Sequence, residues 1–269
     1  MPITEEHADA LRLLSAAAER SKRKNVAFAR SFVADLDPMP GATSSTPLSS
    51  LIQGGRGGKV RLRLYLLLTM MATRAPFDIK QLRTSQTLAR TLELPKREGL
   101  RRITSNLNWL AANKYISIKR DPSAPVSVQL LDPIGNGKLL PDARKVKPYI
   151  TIPIEFWSNG WLLDLSPRAI AVLFALADRL GGSDKPLYLL KDRRASYGFS
   201  HDTWTRGTAE LEDHGLLTLK RVPQGNDFDY MRMRTAYWIE WKRLNTPSEA
   251  SGGEADTNPA PMINFPNSL

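Results

Sequence analysis

The chain has 269 residues, room for one large domain or two small ones with tails. It has no cysteine, which excludes disulfides, thiolate metal sites, iron–sulfur clusters and thiol nucleophiles. Lys and Arg outnumber Asp and Glu by 38 to 27, a net charge of +11, and the excess is local: residues 59–131 hold 14 basic and 4 acidic residues, whereas 149–244 hold 13 and 12. Such a stretch suits a polyanion. The longest apolar run, 64–71, is too short to span a bilayer, and the acidic start lacks the apolar core of a secretory signal. A soluble, cytoplasmic protein is expected.

In chain order, residues 1–36 read as a helical arm, with Leu11, Leu14 and Ala18 at helical spacing. Residues 37–58 are rich in Pro, Ser and Gly and read as a flexible linker. Residues 59–131 form a first domain. A helix is expected over 60–74 and a shorter one over 84–92 with Ser85 able to cap it. Pro95 suits the first turn of a third helix. That third helix places Leu100, Ile103, Leu107 and Leu110 inward and Arg101, Arg102 and Ser105 outward. Alternation over 115–120 and 126–130 around Asp121-Pro-Ser-Ala-Pro125 predicts a hairpin. Residues 132–148 read as a second linker and 149–244 as a second domain. In it Ser166-Pro167 opens a helix, 192–197 forms a short one, Ser200 caps a third over 203–214, and strands follow at 216–221 and 232–241. The tail, 245–269, is polar and Pro-rich and reads as disordered.

The two domains share the order helix, helix, helix, hairpin. An offset of 101 residues aligns Ile103 with Trp204, Leu110 with Leu211, Ile116 with Leu217, and Lys119-Arg120 with Lys220-Arg221. The clearest motif spans Ala195 to Leu217, containing Gly198, Phe199, Ser200, Thr203, Trp204 and Leu211-Glu-Asp-His-Gly-Leu-Leu217. It resembles the winged helix-turn-helix of bacterial regulators, especially GntR-type DNA-binding domains. Domain 1 departs from that pattern at Leu94–Leu100, where the Gly-x-Ser turn is replaced, and at Lys114, which stands in place of the terminal glycine. The resemblance implies an α+β, mainly helical fold of two tandem winged-helix domains behind the helical arm.

It also implies a DNA-binding surface. The candidates are Lys96, Arg97, Arg101, Arg102 and Ser105 on the first recognition helix, with Lys119 and Arg120 on its wing. In domain 2 they are Ser200, His201, Thr203 and Arg206, with Lys220 and Arg221 on the wing. Such side chains can meet base edges and phosphates from a helix in the major groove. The expected partner is double-stranded DNA, and the N-terminal helix is a candidate for self-association. No catalytic residue, metal ligand or cofactor is expected. His201 and His214 have no accompanying nucleophile, and Gly54-Gly-Arg-Gly-Gly58 lacks the Lys of a phosphate-binding loop. Asp192, Asp202 and Glu210 read as caps and surface charges. Phe156, Trp157 and Trp161 read as a lid over the second core. The expected function is sequence-directed DNA binding, as a plasmid or phage replication initiator. A bacterial transcription regulator and a protein-interaction scaffold without DNA affinity are the alternatives.

Overall fold

A computed structural model describes residues 4–39, 44–54, 56–121, 123–181, 186–189, 194–224 and 232–248. The fold is α+β, with helices outweighing strands. The N-terminal elements are α1 (Glu5–Ser21), β1 (Asn25–Ala29), α2 (Arg30–Val33) and α3 (Pro47–Ile52). A first set follows: α4 (Arg56–Met71), β2 (Asp78–Ile79), α5 (Ser85–Thr91), α6 (Lys96–Ala112), β3 (Ile116–Asp121) and β4 (Ala124–Leu130). A connecting group holds β5 (Tyr149–Pro153), α7 (Glu155–Ser158) and α8 (Trp161–Asp164). The last set is α9 (Pro167–Leu180), β6 (Leu187–Tyr188), α10 (His201–Asp213), β7 (Leu217–Gln224), β8 (Arg232–Ile239) and a 3₁₀ turn at Trp241–Asn245.

Both sets place the last strand in the middle of a three-stranded antiparallel sheet, in the orders β2-β4-β3 and β6-β8-β7. The 101-residue offset holds through the core of each. Helices end at Ala112 and Asp213, strands begin at Ile116 and Leu217, and Ile103, Trp204, Leu110 and Leu211 are all buried. Lys114 and Gly215 both end their helices in the left-handed region, at φ 60° and 68°. Gly adopts that conformation without strain, whereas Lys114 does so with a side chain. The sets differ in the turn between the last two helices. Glu93 (φ 52°) precedes α6 by three residues, as Gly198 (φ 69°) precedes α10. Relative to the shared end, α6 is therefore four residues longer, about one helical turn.

Several expectations are corrected. The stretch 1–36 is not helical throughout. Val26 and Phe28 alternate inward on β1, which pairs antiparallel with β5 from Asn25↔Pro153 to Ala29↔Tyr149. Nor is it an arm free of the body, because the apolar stripe of α1, Ala10, Leu14 and Ala18, is buried within the chain. Its own chain covers that stripe. In the expected linker, Leu48 and Leu51 of α3 are fully buried and Thr46 and Ser49 form a capping box. Thr46 Oγ1 donates to Tyr197 O (3.1 Å) and Tyr115 Oη donates to Pro47 O (3.0 Å), so α3 is held by both sets. The cap of α5 is Thr84, which accepts from Thr87 N, rather than Ser85. Pro95 is the N-cap of α6 and not its first residue. Ser166 and Ser200 cap α9 and α10 as expected. The expected helix at 192–197 begins outside the described residues; Arg194 and Ala195 are helical.

One hydrophobic cluster runs through the N-terminal elements and both sets. Phe156, Trp157 and Trp161 are fully buried in it. Two charged ties cross it. Arg63 on α4 is 4% exposed and donates to Leu163 O and to Leu165 O (3.3 Å) at the end of α8. Arg30 on α2 pairs with the buried Asp178 of α9 at 2.8 Å, and Tyr197 Oη donates to the same carboxylate.

Candidate nucleic-acid interface

The phase of α6 decides which side chains leave the body. Gly99, Ile103, Asn106, Leu107 and Leu110 recur at three- and four-residue spacing and are buried. The opposite face, carrying Lys96, Arg97, Arg101, Thr104, Ser105 and Asn108, is exposed. Leu100, expected inward, is instead 49% exposed among these residues. Counting back from Ile103, the helix packs on α5 through the fourth residue, Gly99, where a Cβ would lie 2.9 Å from the Ala89 Cβ. The close approach there turns Leu100 outward.

The cations of this face are not equivalent. Arg102 is half-buried and paired with Glu98 at 2.6 Å. Lys96 lies 3.5 Å from Glu6 of α1 in an exposed pair, which contributes little. Arg97 and Arg101 have no carboxylate partner among the described residues and stand one helical turn apart. Ser105 continues their row. On the hairpin, Lys119 and Arg120 are exposed beside a bulge between Lys119 and Asp121. Arg120 Nη2 donates to Asn108 Oδ1 at 3.0 Å, which ties the hairpin to α6 and brings the two cationic elements together.

Part of the basic excess never reaches this surface. Arg63 is in the core, and burial lowers its guanidinium to about 10. Arg61 lies over Trp109 at 3.6 Å from the ring centroid and donates to Gln53 O. Arg90 is paired with Asp9 at 2.8 Å. A count of charges along the sequence cannot separate these internal ties from an outward face.

The last set has the opposite balance. Helix α10 carries Asp202, Glu210, Glu212 and Asp213 against one Arg, whereas α6 carries four basic residues against Glu98. Trp204, Gly207, Thr208 and Leu211 form its buried stripe. The Gly207 position leaves no room for a side chain, since a Cβ would lie 2.7 Å from Val172 Cγ2 of α9. The sequence-expected side chains here also have partners within the chain. Ser200 Oγ accepts from Thr203 N (3.1 Å) and donates to Thr203 Oγ1 (3.0 Å). Arg206 Nε sits 2.6 Å from Asp202, a carboxylate also 3.7 Å from Arg168. His201 is exposed and 3.3 Å from Thr205 Oγ1. Glu210 turns inward and accepts from Ser166 N (2.6 Å), serving the start of α9.

The hairpin of this set keeps its cations outward. Lys220 and Arg221 on β7 are exposed, and so is Arg234 on β8, opposite Val222. Arg234 was missed by sequence reasoning, although Met231-Arg-Met-Arg-Thr235 carries two arginines in one strand of the expected hairpin. Among the described residues, no group of three or more His, Asp or Glu side chains could hold a metal ion. Nor is any helix among them long and apolar enough to cross a membrane. No protein-family model matches the chain, and a search of the curated proteins finds no match.

Proposed function

We propose that this chain binds double-stranded DNA in a sequence-directed way through two winged helices, at residues 59–131 and 149–244, as a plasmid or phage replication initiator. The observation that carries the reading is the outward face of α6, where Arg97 and Arg101 stand without carboxylate partners among the described residues, beside Lys119 and Arg120 of the tied hairpin. A helix of about 10–12 Å diameter enters the major groove, and arginines on its outer face can pair with guanine edges or phosphates. The order helix, strand, helix, helix, strand, strand in the first set, and helix, strand, helix, strand, strand among the described residues of the last, each with its last strand central, supports the winged-helix assignment. Two such units in one chain support the initiator reading, each unit taking part of a repeated site.

The two units divide the work unequally. In the first, helix and hairpin both present cations. In the second, the hairpin residues Lys220, Arg221 and Arg234 meet DNA phosphates, and the net-acidic α10 contributes less. That acidity favours, as a second reading, a protein-facing role for α10.

Selection from a pool of random duplexes tests the function. The parent chain enriches a defined motif, Arg97→Ala with Arg101→Ala abolishes the enrichment, and Arg206→Ala weakens it less, because that arginine sits on the net-acidic α10 beside Asp202. Direct repeats in the selected motif fit an initiator. Inverted repeats move the assignment to a transcription regulator. A pool that returns unenriched removes sequence-directed binding altogether.

A further inference from the structure

A cavity of about 360 Å³ lies between β1, the C-terminal half of α4 and the segment from Asp132 to Arg144. That is near the lower end of the range for ligand sites, about 300 to 1,000 Å³, and suits a small molecule. Its innermost lining is aromatic and nearly closed to solvent, Phe28 being 4% and Phe32 and Tyr65 each 1% exposed. Phe28, Phe32 and Tyr65 line it, with Phe32 stacked on both neighbours at 5.4 Å between centroids. Its polar wall is cationic: Arg23, Arg74 and Arg144 all line it, and none of them makes an ion pair among the described residues.

The three arginines differ in freedom. Arg23 is half-buried and fixed, donating to Thr69 O (3.2 Å) and Ala72 O at the end of α4. Arg74 and Arg144 are exposed at the mouth. Two carboxylates also line the cavity and offset part of this charge, and each is hydrogen-bonded within its own turn. Asp132 accepts from Ile134 N and Asn136 Nδ2, and Asp142 accepts from Arg144 N. Burial, and then the nearby positive charge of Arg144, hold the Arg23 guanidinium below its ordinary value, with Asp142 offsetting this in part. The three arginines thus outnumber the two carboxylates over an apolar floor. An arrangement of that kind is complementary to a molecule with a flat apolar body and a single acidic group.

We propose that this cavity is a binding site for a small aromatic carboxylate, its ring against Phe28, Phe32 and Tyr65 and its carboxylate between Arg23, Arg144 and Arg74. The site is separate from the DNA-facing surface, and the proposal stands whether or not the chain binds DNA. A ligand seated there touches three segments distant in sequence. It therefore binds the folded chain and not the unfolded one, and raises the melting temperature with concentration.

The test is calorimetric titration of the full chain with 2-naphthoate, with uncharged 2-naphthylmethanol as the comparison. The site predicts saturable one-to-one binding of the acid and at least about tenfold weaker binding of the alcohol, the loss expected for one charge-assisted contact. Arg74→Ala with Arg144→Ala, both exposed positions, weakens 2-naphthoate by about tenfold or more while the melting temperature of the free protein stays unchanged. Absence of saturable binding, equal binding of acid and alcohol, or undiminished binding by the double variant each overturns the proposal. The comparison of acid with alcohol uses the parent protein alone and decides the question even if the variant folds poorly.

Discussion

At the scale of single residues, the same side-chain type does unlike work depending on what surrounds it. Arg97 and Arg101 project from a helix face that packing forces outward, whereas Arg63 and Arg30 are turned into the body. The Arg30–Asp178 pair shows the difference in energy. Asp178 has only 2% of its side chain exposed and receives both Arg30 and the Tyr197 hydroxyl. Asp178→Ala leaves a largely buried guanidinium and a phenol without their acceptor, so it should cost about 3–5 kcal/mol of stability. Denaturant unfolding of the variant measures this; a loss below about 1 kcal/mol would mean that water or a neighbour takes over the carboxylate's role. Sequence reasoning found the outward arginines because they share a helix with a clear apolar stripe. It could not find the internal ones, since the partners of Arg63 and Arg30 lie about a hundred residues away or more.

At the scale of elements, what was legible followed from local chemistry. Ser166 and Ser200 announce helix starts, and the hairpin strands show alternation. The elements that were missed depend on distant partners. β2 and β6 have two residues each, too few for alternation to register, and exist because β4 and β8 offer an edge. β1 has Val26 and Phe28 inward over only five residues, and its partner β5 begins more than a hundred residues later. In α3 the composition misled. Pro, Ser and Gly dominate residues 37–58, yet two leucines three residues apart, Leu48 and Leu51, are enough to seat Pro47–Ile52 between the two sets. Leu51 is fully buried, so Leu51→Ala should destabilise the chain by about 2–5 kcal/mol through the cavity it opens. A thermal melt of that variant indistinguishable from the parent would restore the segment to the status of a linker.

At the scale of the whole molecule, a shared core, α1, α3 and the Arg63 tie bind the two sets together. The sequence suggested separable domains; the packing predicts one cooperative unit. Buried phenols supply a spectroscopic test of that unit. Burial raises Tyr65, Tyr115 and Tyr197, the second of them to about 12. An unfolded tyrosine ionises near pH 10, so above that pH the unfolded chain has released protons that the folded chain still holds. The stability from these groups is therefore full below about pH 10 and is lost as pH rises toward their folded values. Arg63, lowered by burial, acts in the opposite sense across that window. In an alkaline titration, phenolate absorbance should rise in two stages, Tyr65, Tyr115 and Tyr197 ionising only as the fold is lost, on both sides of the core at once. Ionisation of all tyrosines near pH 10 with the far-ultraviolet dichroism intact would contradict the packing described.

The salt dependence of duplex binding reads out the outward cations without knowledge of the preferred sequence. With about six phosphates neutralised by α6 and the two hairpins, log K should fall with log salt at a slope near −5. Arg97→Ala with Arg101→Ala should bring the slope toward zero by about 2, and Arg221→Ala with Arg234→Ala should do the same, each leaving the melting temperature unchanged. A parent chain without measurable affinity for duplex DNA at low salt, or a slope unmoved in both double variants, would contradict the account.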